Sequence, residues 1–244
     1  MTLRLDVLPA AAWAGRVADD LAARVRATPG LRLCLPTGDT PSPVYALLAA
    51  QAQTGRFSLA ATEVLALDEY LGLPPGHPAR CDVRLHRELL DRLPEPPAAF
   101  HRIDADDPDP GAAAGRHDAI AARGIDLALL GLGTNGHVGL NEPGSFADTP
   151  TRVVRVAEAS RRAAVERYGA DPAPTAGITL GVARLLAAGE VWLLVTGERK
   201  AGILARALDA PEGSDCPASY LRRHGRLRVI ADEPAAARLR SPSR

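Results

Sequence analysis

The segment from residue 129 to residue 144 combines side chains that move protons with a backbone that admits a ligand. His137 and Glu142 are five positions apart in it, and glycine occupies positions 131, 133, 136 and 139. A carboxylate beside an imidazole orients the ring and stabilises its charged form, so the pair can serve as a proton relay. Glycine lets the backbone approach a ligand closely. The segment therefore indicates acid–base chemistry on a small molecule.

A second candidate for proton transfer is the acidic pair Asp68-Glu69. It directly follows the apolar residues 64–67, which are typical of a buried strand. A carboxylate at the carboxyl end of a strand suits a general base. The alternative is an acid that caps a helix or carries a solvated charge.

An anion site is indicated by the turn that contains Thr37, Gly38 and Thr40. The turn lies between a predicted strand at 31–35 and a helix predicted to begin at Ser42, and helix N-termini bind anions. Asp39 opposes this interpretation, because its carboxylate repels an anion unless it points away. An ordinary strand-to-helix loop is the alternative.

Lys200 is the only lysine of the chain; the other 28 of the 29 basic residues are arginine. A genome rich in G and C explains this bias without any functional reason. A site that needs a compact ammonium group explains it equally well. Lys200 follows a predicted strand at 191–195, so it belongs to the same edge of a sheet as the groups above.

Strands alternate with helices along the whole sequence, which predicts an α/β fold. We expect one three-layer α/β/α, Rossmann-like domain over residues 1–244 with a mostly parallel sheet. The carboxyl ends of parallel strands meet at one edge, which brings the three groups together. A helix predicted from Ala112 to Arg123 leads into the central strand at 125–130.

Composition excludes several other classes of protein. The formal net charge is zero, which argues against a nucleic-acid partner. No apolar run reaches the ~18 residues of a membrane span, and the N-terminus lacks the pattern of a signal peptide. Three cysteines without metal-ligand spacing predict a reduced, cytoplasmic protein without a structural metal.

The glycines at 131, 133 and 136 match the G-x-G-x-x-G pattern of dinucleotide sites. The context disfavours such a site, because the third glycine should open a helix. Here Gly139 and Pro143 follow and resist one. We therefore expect neither a nicotinamide nor a flavin cofactor.

Six segments in order make the chain resemble the glucosamine-6-phosphate deaminase (isomerase) family, which is related to the 6-phosphogluconolactonases. The resemblance covers nearly the whole chain, and the Asn141-Glu142-Pro143 step resembles the deaminase branch. The matching segments are 35–41, 67–74 with His77-Pro78, 131–144, 177–181, 197–201 and 217–221 with His224.

The resemblance implies a deaminase that converts a hexosamine 6-phosphate to the ketose phosphate and ammonia without a cofactor. Asp68 matches the base that moves a proton between C2 and C1, and His137 the group that opens the sugar ring. Glu142 matches the carboxylate that orients this histidine, and Asn135 a further member of the relay. The implied phosphate holders are Thr37, Gly38, Thr40, Lys200 and an arginine that is either Arg167 or Arg161.

Five positions depart from the family pattern, and we expect most of them near the sugar or its phosphate. They are Asp39, Arg80, Cys81, Arg84 and Arg222. These departures leave open a galactosamine-6-phosphate deaminase, a lactonase, or a phosphosugar-binding protein with a decayed site. The resemblance implies a small phosphosugar as partner and leaves both a monomer and a homo-oligomer open.

Overall fold

The computed structural model describes residues 3–169 and 171–240, and in them strands and helices alternate along the chain. The strands are β1 (Arg4–Leu8), β2 (Arg32–Leu35), β3 (Glu63–Ala66), β4 (Asp68–Leu71), β5 (Ala99–His101), β6 (Leu127–Gly131), β7 (Arg152–Arg155), β8 (Ala176–Thr179), β9 (Val191–Val195) and β10 (Leu227–Asp232). The α-helices are α1 (Ala10–Arg26), α2 (Ser42–Gln53), α3 (Cys81–Glu88), α4 (Pro110–Ala122), α5 (Glu158–Tyr168), α6 (Val182–Leu186), α7 (Ala201–Asp209) and α8 (Glu233–Ala236). Short 3-10 helices cover Leu90–Arg92, Glu198–Lys200 and Pro217–Arg223.

The main sheet has seven strands in the order β1-β10-β9-β6-β2-β3-β5. Every neighbouring pair in it is parallel. Alternate residues of a strand point to opposite faces, so Leu33 and Leu35 pack in one buried cluster with α1 and α2. Cys34 packs in a second cluster, on the other face, with α6 and α7. The predicted α/β/α architecture with a mostly parallel sheet is confirmed.

A smaller antiparallel sheet, in the order β4-β8-β7, was not predicted from the sequence. Asp68 was expected at the end of a strand of the main sheet, yet it begins β4 and pairs with Thr179 of β8. The reason is Glu69, whose charged side chain is typical of a loop in the sequence, although the structure buries it. Its carboxylate accepts the backbone N–H groups of Cys81 and Asp82, each at 2.8 Å, and so caps α3.

The strand order reverses between β2 and β6. From β2 the chain proceeds outward through β3 to β5, whereas from β6 it proceeds the other way through β9 and β10. Ligands of open α/β sheets bind in the crevice at such a reversal, outside the carboxyl ends of the strands. The loops that leave β2 and β6 here contain Thr37 and His137. In the described residues, no helix is both long and apolar enough to cross a membrane.

Candidate active site

One cleft lies at this reversal and brings together segments that are distant in the sequence. Its volume is about 220 Å³, below the ~300–1,000 Å³ of pockets for drug-sized ligands. The cleft is therefore suited to a small, polar molecule rather than to a dinucleotide. Of the residues predicted from the sequence, those that line it are Thr37, Gly38, Thr40, Asp68, His137, Arg167 and Lys200.

His137 pairs with the carboxylate of Glu142. Its Nδ1 lies 3.1 Å from Oε2 of Glu142, and the same oxygen accepts a hydrogen bond from Nδ2 of Asn135 at 2.8 Å. Ser160 of α5 donates its hydroxyl hydrogen to the other oxygen, Oε1, at 2.7 Å. Nδ1 thus contacts Glu142, and Nε2, on the other side of the imidazole ring, lies away from this contact.

The hydrogen bonds also keep Glu142 ionised. Burial alone would raise the pKa of this carboxyl group, but the contacts from His137, Asn135 and Ser160 outweigh burial and lower the pKa to about 2. Glu142 is therefore negative at neutral pH. A fixed negative charge at Nδ1 holds the ring in one orientation.

Gly133 packs directly against the imidazole ring of His137. A β-carbon placed on Gly133 would overlap three atoms of the His137 imidazole. The backbone N–H of Gly133 also donates to the carbonyl of His137 at 2.9 Å. The ring thus lies directly on the glycine backbone, so only glycine fits this position without displacing it.

Asp68 is the first residue of β4, and it lines the cleft. Burial raises the pKa of its carboxyl group to about 6, although a hydrogen bond from the Cys81 thiol and the charges of His137 and Arg84 act in the opposite direction. A carboxylate with a pKa near 6 is mostly ionised at pH 7 and is a stronger base than an ordinary aspartate. The side chain is thus suited to accept a proton from a bound molecule.

The end of the cleft around Lys200 is cationic. Lys200 donates from Nζ to the carbonyl of Leu132 at 2.6 Å, which fixes it against the loop that follows β6. Burial lowers the pKa of Lys200 to about 8, and the neighbouring Arg199 and Arg167 add to this effect. Three cationic side chains and the Thr37–Thr40 turn thus surround one end of the cleft, an arrangement that favours an anion.

The structure distinguishes between the two arginines that the sequence left open. Arg167 lines the cationic end of the cleft. Arg161 does not line it; its guanidinium pairs with Glu158 one turn earlier in α5. Asn135 and Glu142 also stay outside the cleft lining and act on His137 from behind.

Two of the five unusual positions, Arg80 and Arg222, lie away from the cleft. Arg80 is 1% exposed and pairs with Asp106 at 2.9 Å. Arg222 donates to backbone carbonyls, including that of Ala210 at 2.7 Å. Asp39, Cys81 and Arg84 line the cleft. Most of the departures from the family pattern therefore lie at the cleft, as expected.

Sequence reasoning missed several residues of the site. Ser160 is 18 residues from Glu142 and carries no motif. Tyr168 was also missed; it lines the cleft, and its ring centre lies 4.2 Å from the guanidinium carbon of Arg84, which the sequence had marked only as a departure from the family pattern. Arg199 directly precedes Lys200, so the sequence alone could have identified it as a second cation after β9. Across the described ranges, His, Cys, Asp and Glu form no group of three or more that could hold a metal ion.

Comparisons with known proteins identify related sequences over most of the chain. A family model described as glucosamine-6-phosphate isomerases/6-phosphogluconolactonase matches residues 8–229. Glucosamine-6-phosphate deaminase of Streptomyces coelicolor is 37% identical over 243 residues, which is 98% of this chain and 93% of that protein. Glucosamine-6-phosphate deaminase 2 of Bacillus subtilis is 36% identical over 86% of this chain and 87% of its own.

Solved structures show the same fold. A monomeric glucosamine-6-phosphate deaminase superposes with a TM-score of 0.91 at 27% identity, over 96% of this chain and 99% of that one. The 6-phosphogluconolactonase of Trypanosoma cruzi superposes with a TM-score of 0.77 at 19% identity, over 98% of each chain. At that identity the second likeness concerns the fold alone.

Proposed function

Because the chain belongs to the glucosamine-6-phosphate isomerase/6-phosphogluconolactonase family, we propose that it is a glucosamine-6-phosphate deaminase. The reaction converts glucosamine 6-phosphate to fructose 6-phosphate and ammonia. The observation that carries the proposal is the meeting, in one cleft, of a base, a histidine–carboxylate pair and a cationic end. Curated relatives with this name, 36–37% identical over most of the chain, support it.

In this proposal the phosphate binds at the cationic end, to Lys200, Arg167 and the Thr37–Thr40 turn. Binding there fixes a part of the substrate that does not react, and so places the sugar carbons between Asp68 and His137. The substrate is a small phosphosugar. The proposal describes a cytoplasmic enzyme and applies equally to a monomer and a homo-oligomer.

His137 acts first, because a hexosamine phosphate exists mainly as a closed ring. The histidine transfers a proton at the ring oxygen, and the ionised Glu142 stabilises the imidazolium that this exchange requires. Opening of the ring creates the C1 aldehyde, which makes the hydrogen at C2 acidic. Asn135 and Ser160 hold Glu142 in place.

Asp68 then removes the proton from C2 and returns a proton to C1. The first transfer gives an enediol-type intermediate that still carries the amino group. Protonation at C1 leaves an imine at C2. Addition of water to the imine and loss of ammonia give fructose 6-phosphate, so carbon, nitrogen and oxygen balance without an external oxidant or reductant.

The pKa of Asp68 predicts the acid limb of the pH profile. Since only the ionised carboxylate accepts a proton, kcat/KM should be highest between pH 7 and the pKa of Lys200 near 8, and should fall about tenfold per pH unit well below pH 6. The phosphate monoester of the substrate also titrates near pH 6, so the binding of an unreactive phosphate monoester such as glycerol 3-phosphate, measured over the same range, serves as the control. A kcat/KM that increases from pH 7 to pH 5 would exclude Asp68 as the base.

Substitution of Gly133 by alanine should displace the His137 ring and lower kcat about 10- to 100-fold, since small misplacements of catalytic groups have effects of this size. Steady-state kinetics of the purified variant measure the effect. Gly15→Ala is the matched control, because a β-carbon at that position in α1 contacts nothing within 4 Å. Equal activity of both variants would show that the ring does not need its present position.

A lactonase is the second candidate, since the family description includes 6-phosphogluconolactonase. The two functions separate in one experiment. Purified protein is given glucosamine 6-phosphate, galactosamine 6-phosphate and 6-phosphogluconolactone in parallel, and ammonia and acid release are measured. We expect ammonia from glucosamine 6-phosphate at the highest kcat/KM. Hydrolysis of the lactone without ammonia from either amino sugar would overturn the proposal.

A further inference from the structure

Asp39 lies in the middle of the cationic end of the cleft and bridges three elements. Its Oδ2 is 2.5 Å from Nη1 of Arg167, at the end of α5, and 3.7 Å from Nη2 of Arg199. Its Oδ1 accepts a hydrogen bond from the hydroxyl of Tyr168 at 3.5 Å. The carboxylate therefore connects the loop after β2 to α5 and to the turn before α7.

All four of these side chains line the cleft together with Lys200. The cationic end thus contains three positive groups and one negative group of its own. Asp39 and its two arginine partners are each between 40% and 64% exposed, so solvent and a ligand can reach them. An incoming phosphate and the Asp39 carboxylate require the same guanidinium groups.

We propose that Asp39 is a specificity-determining residue that competes with the phosphate of the substrate for Arg167 and Arg199. The inference rests on the proposed phosphosugar function and concerns the same site. In the free protein the carboxylate occupies the guanidinium groups. A bound phosphate takes over these contacts, and the Asp39 side chain turns away from them.

Two consequences follow from this competition. First, Asp39 lowers the net positive charge that faces a ligand, so that weakly anionic molecules are excluded and a phosphate dianion, with its stronger attraction, displaces the carboxylate. Second, affinity for inorganic phosphate is lower than three cations alone would give. Removal of the Asp39 charge should therefore strengthen anion binding rather than weaken it.

The test is the Asp39→Asn variant, in which the side chain keeps its shape and loses its charge. Isothermal titration with inorganic phosphate at low ionic strength gives the dissociation constant for wild type and variant. We expect a dissociation constant about 3- to 30-fold lower in the variant, from the removal of one charge at this distance. KM for glucosamine 6-phosphate should decrease in the same direction. Asp215→Asn, which removes an exposed carboxylate paired with Arg206 outside the cleft lining, is the matched control.

A dissociation constant that is unchanged or higher in Asp39→Asn would overturn the inference, because it would make the carboxylate either irrelevant to the anion or part of its support. Equal tightening in Asp215→Asn would do the same, since it would reduce the effect to overall charge. The proposed function fails separately: it fails when the wild type binds phosphate yet releases no ammonia from glucosamine 6-phosphate.

Discussion

Replacement of Asp68 by asparagine is expected to lower kcat for ammonia release about 10²- to 10⁴-fold, the range for loss of a positioned general base. The amide has the shape of the carboxylate but accepts no proton at neutral pH. The charges that act on Lys200 are those of Arg199, Arg167 and Asp39 rather than that of Asp68, so affinity for the phosphosugar should stay nearly unchanged. Steady-state kinetics and titration with glucosamine 6-phosphate measure the two quantities.

Exchange of the C2 hydrogen gives a more direct test of the same variant. In D₂O the wild type should catalyse this exchange or its transfer to C1, and Asp68→Asn should not. Asp148→Asn, at an exposed position outside the cleft lining, is the control and should behave as wild type. Exchange at the wild-type rate in Asp68→Asn would remove Asp68 from the role of base.

Replacement of His137 by glutamine is the second large effect that we expect, with kcat/KM lowered about 10²- to 10⁴-fold. Glutamine can still form a hydrogen bond to Glu142, but it cannot carry a proton to the ring oxygen. His137→Gln should block an earlier step than Asp68→Asn, because ring opening must come before removal of the C2 proton. Initial rates of ammonia release over a range of glucosamine 6-phosphate concentrations measure this effect.

The interconversion of the two anomers of glucosamine 6-phosphate distinguishes the two variants. Anomers interconvert only through the open chain. Magnetisation exchange between the NMR signals of the two anomers therefore reports ring opening alone. We expect Asp68→Asn to accelerate this interconversion and His137→Gln not to do so. His86→Gln, a surface histidine that pairs with Asp91, is the control. Acceleration by His137→Gln equal to that of the wild type would assign ring opening to another group.

The fold was predictable because its signals are local. Apolar runs such as 127–130 are bounded by turns, and their alternation with helices determines a parallel sheet with its ligand site at the carboxyl ends. Residues at those ends, His137 and Lys200 among them, were therefore found from the sequence. The small antiparallel sheet was not, since the buried Glu69 interrupts the apolar pattern of β4.

Contacts across the cleft were beyond sequence reasoning for a different reason. The bond from Ser160 to Glu142 and the bridge from Asp39 to Arg167 depend on how α5 lies over the loops, which no spacing encodes. The same holds for Arg161 and Arg167, which are six residues apart on one helix. Only the packed structure shows that Arg167 faces the cleft and that Arg161 pairs with Glu158.

The central claim is that this cleft removes the amino group of glucosamine 6-phosphate while moving hydrogen from C2 to C1. The most direct measurement is a time course of ammonia and fructose 6-phosphate formed from glucosamine 6-phosphate by the purified wild type. The account predicts that both products appear at the same rate and in a one-to-one ratio. The absence of ammonia, or ammonia without the ketose phosphate, would contradict it.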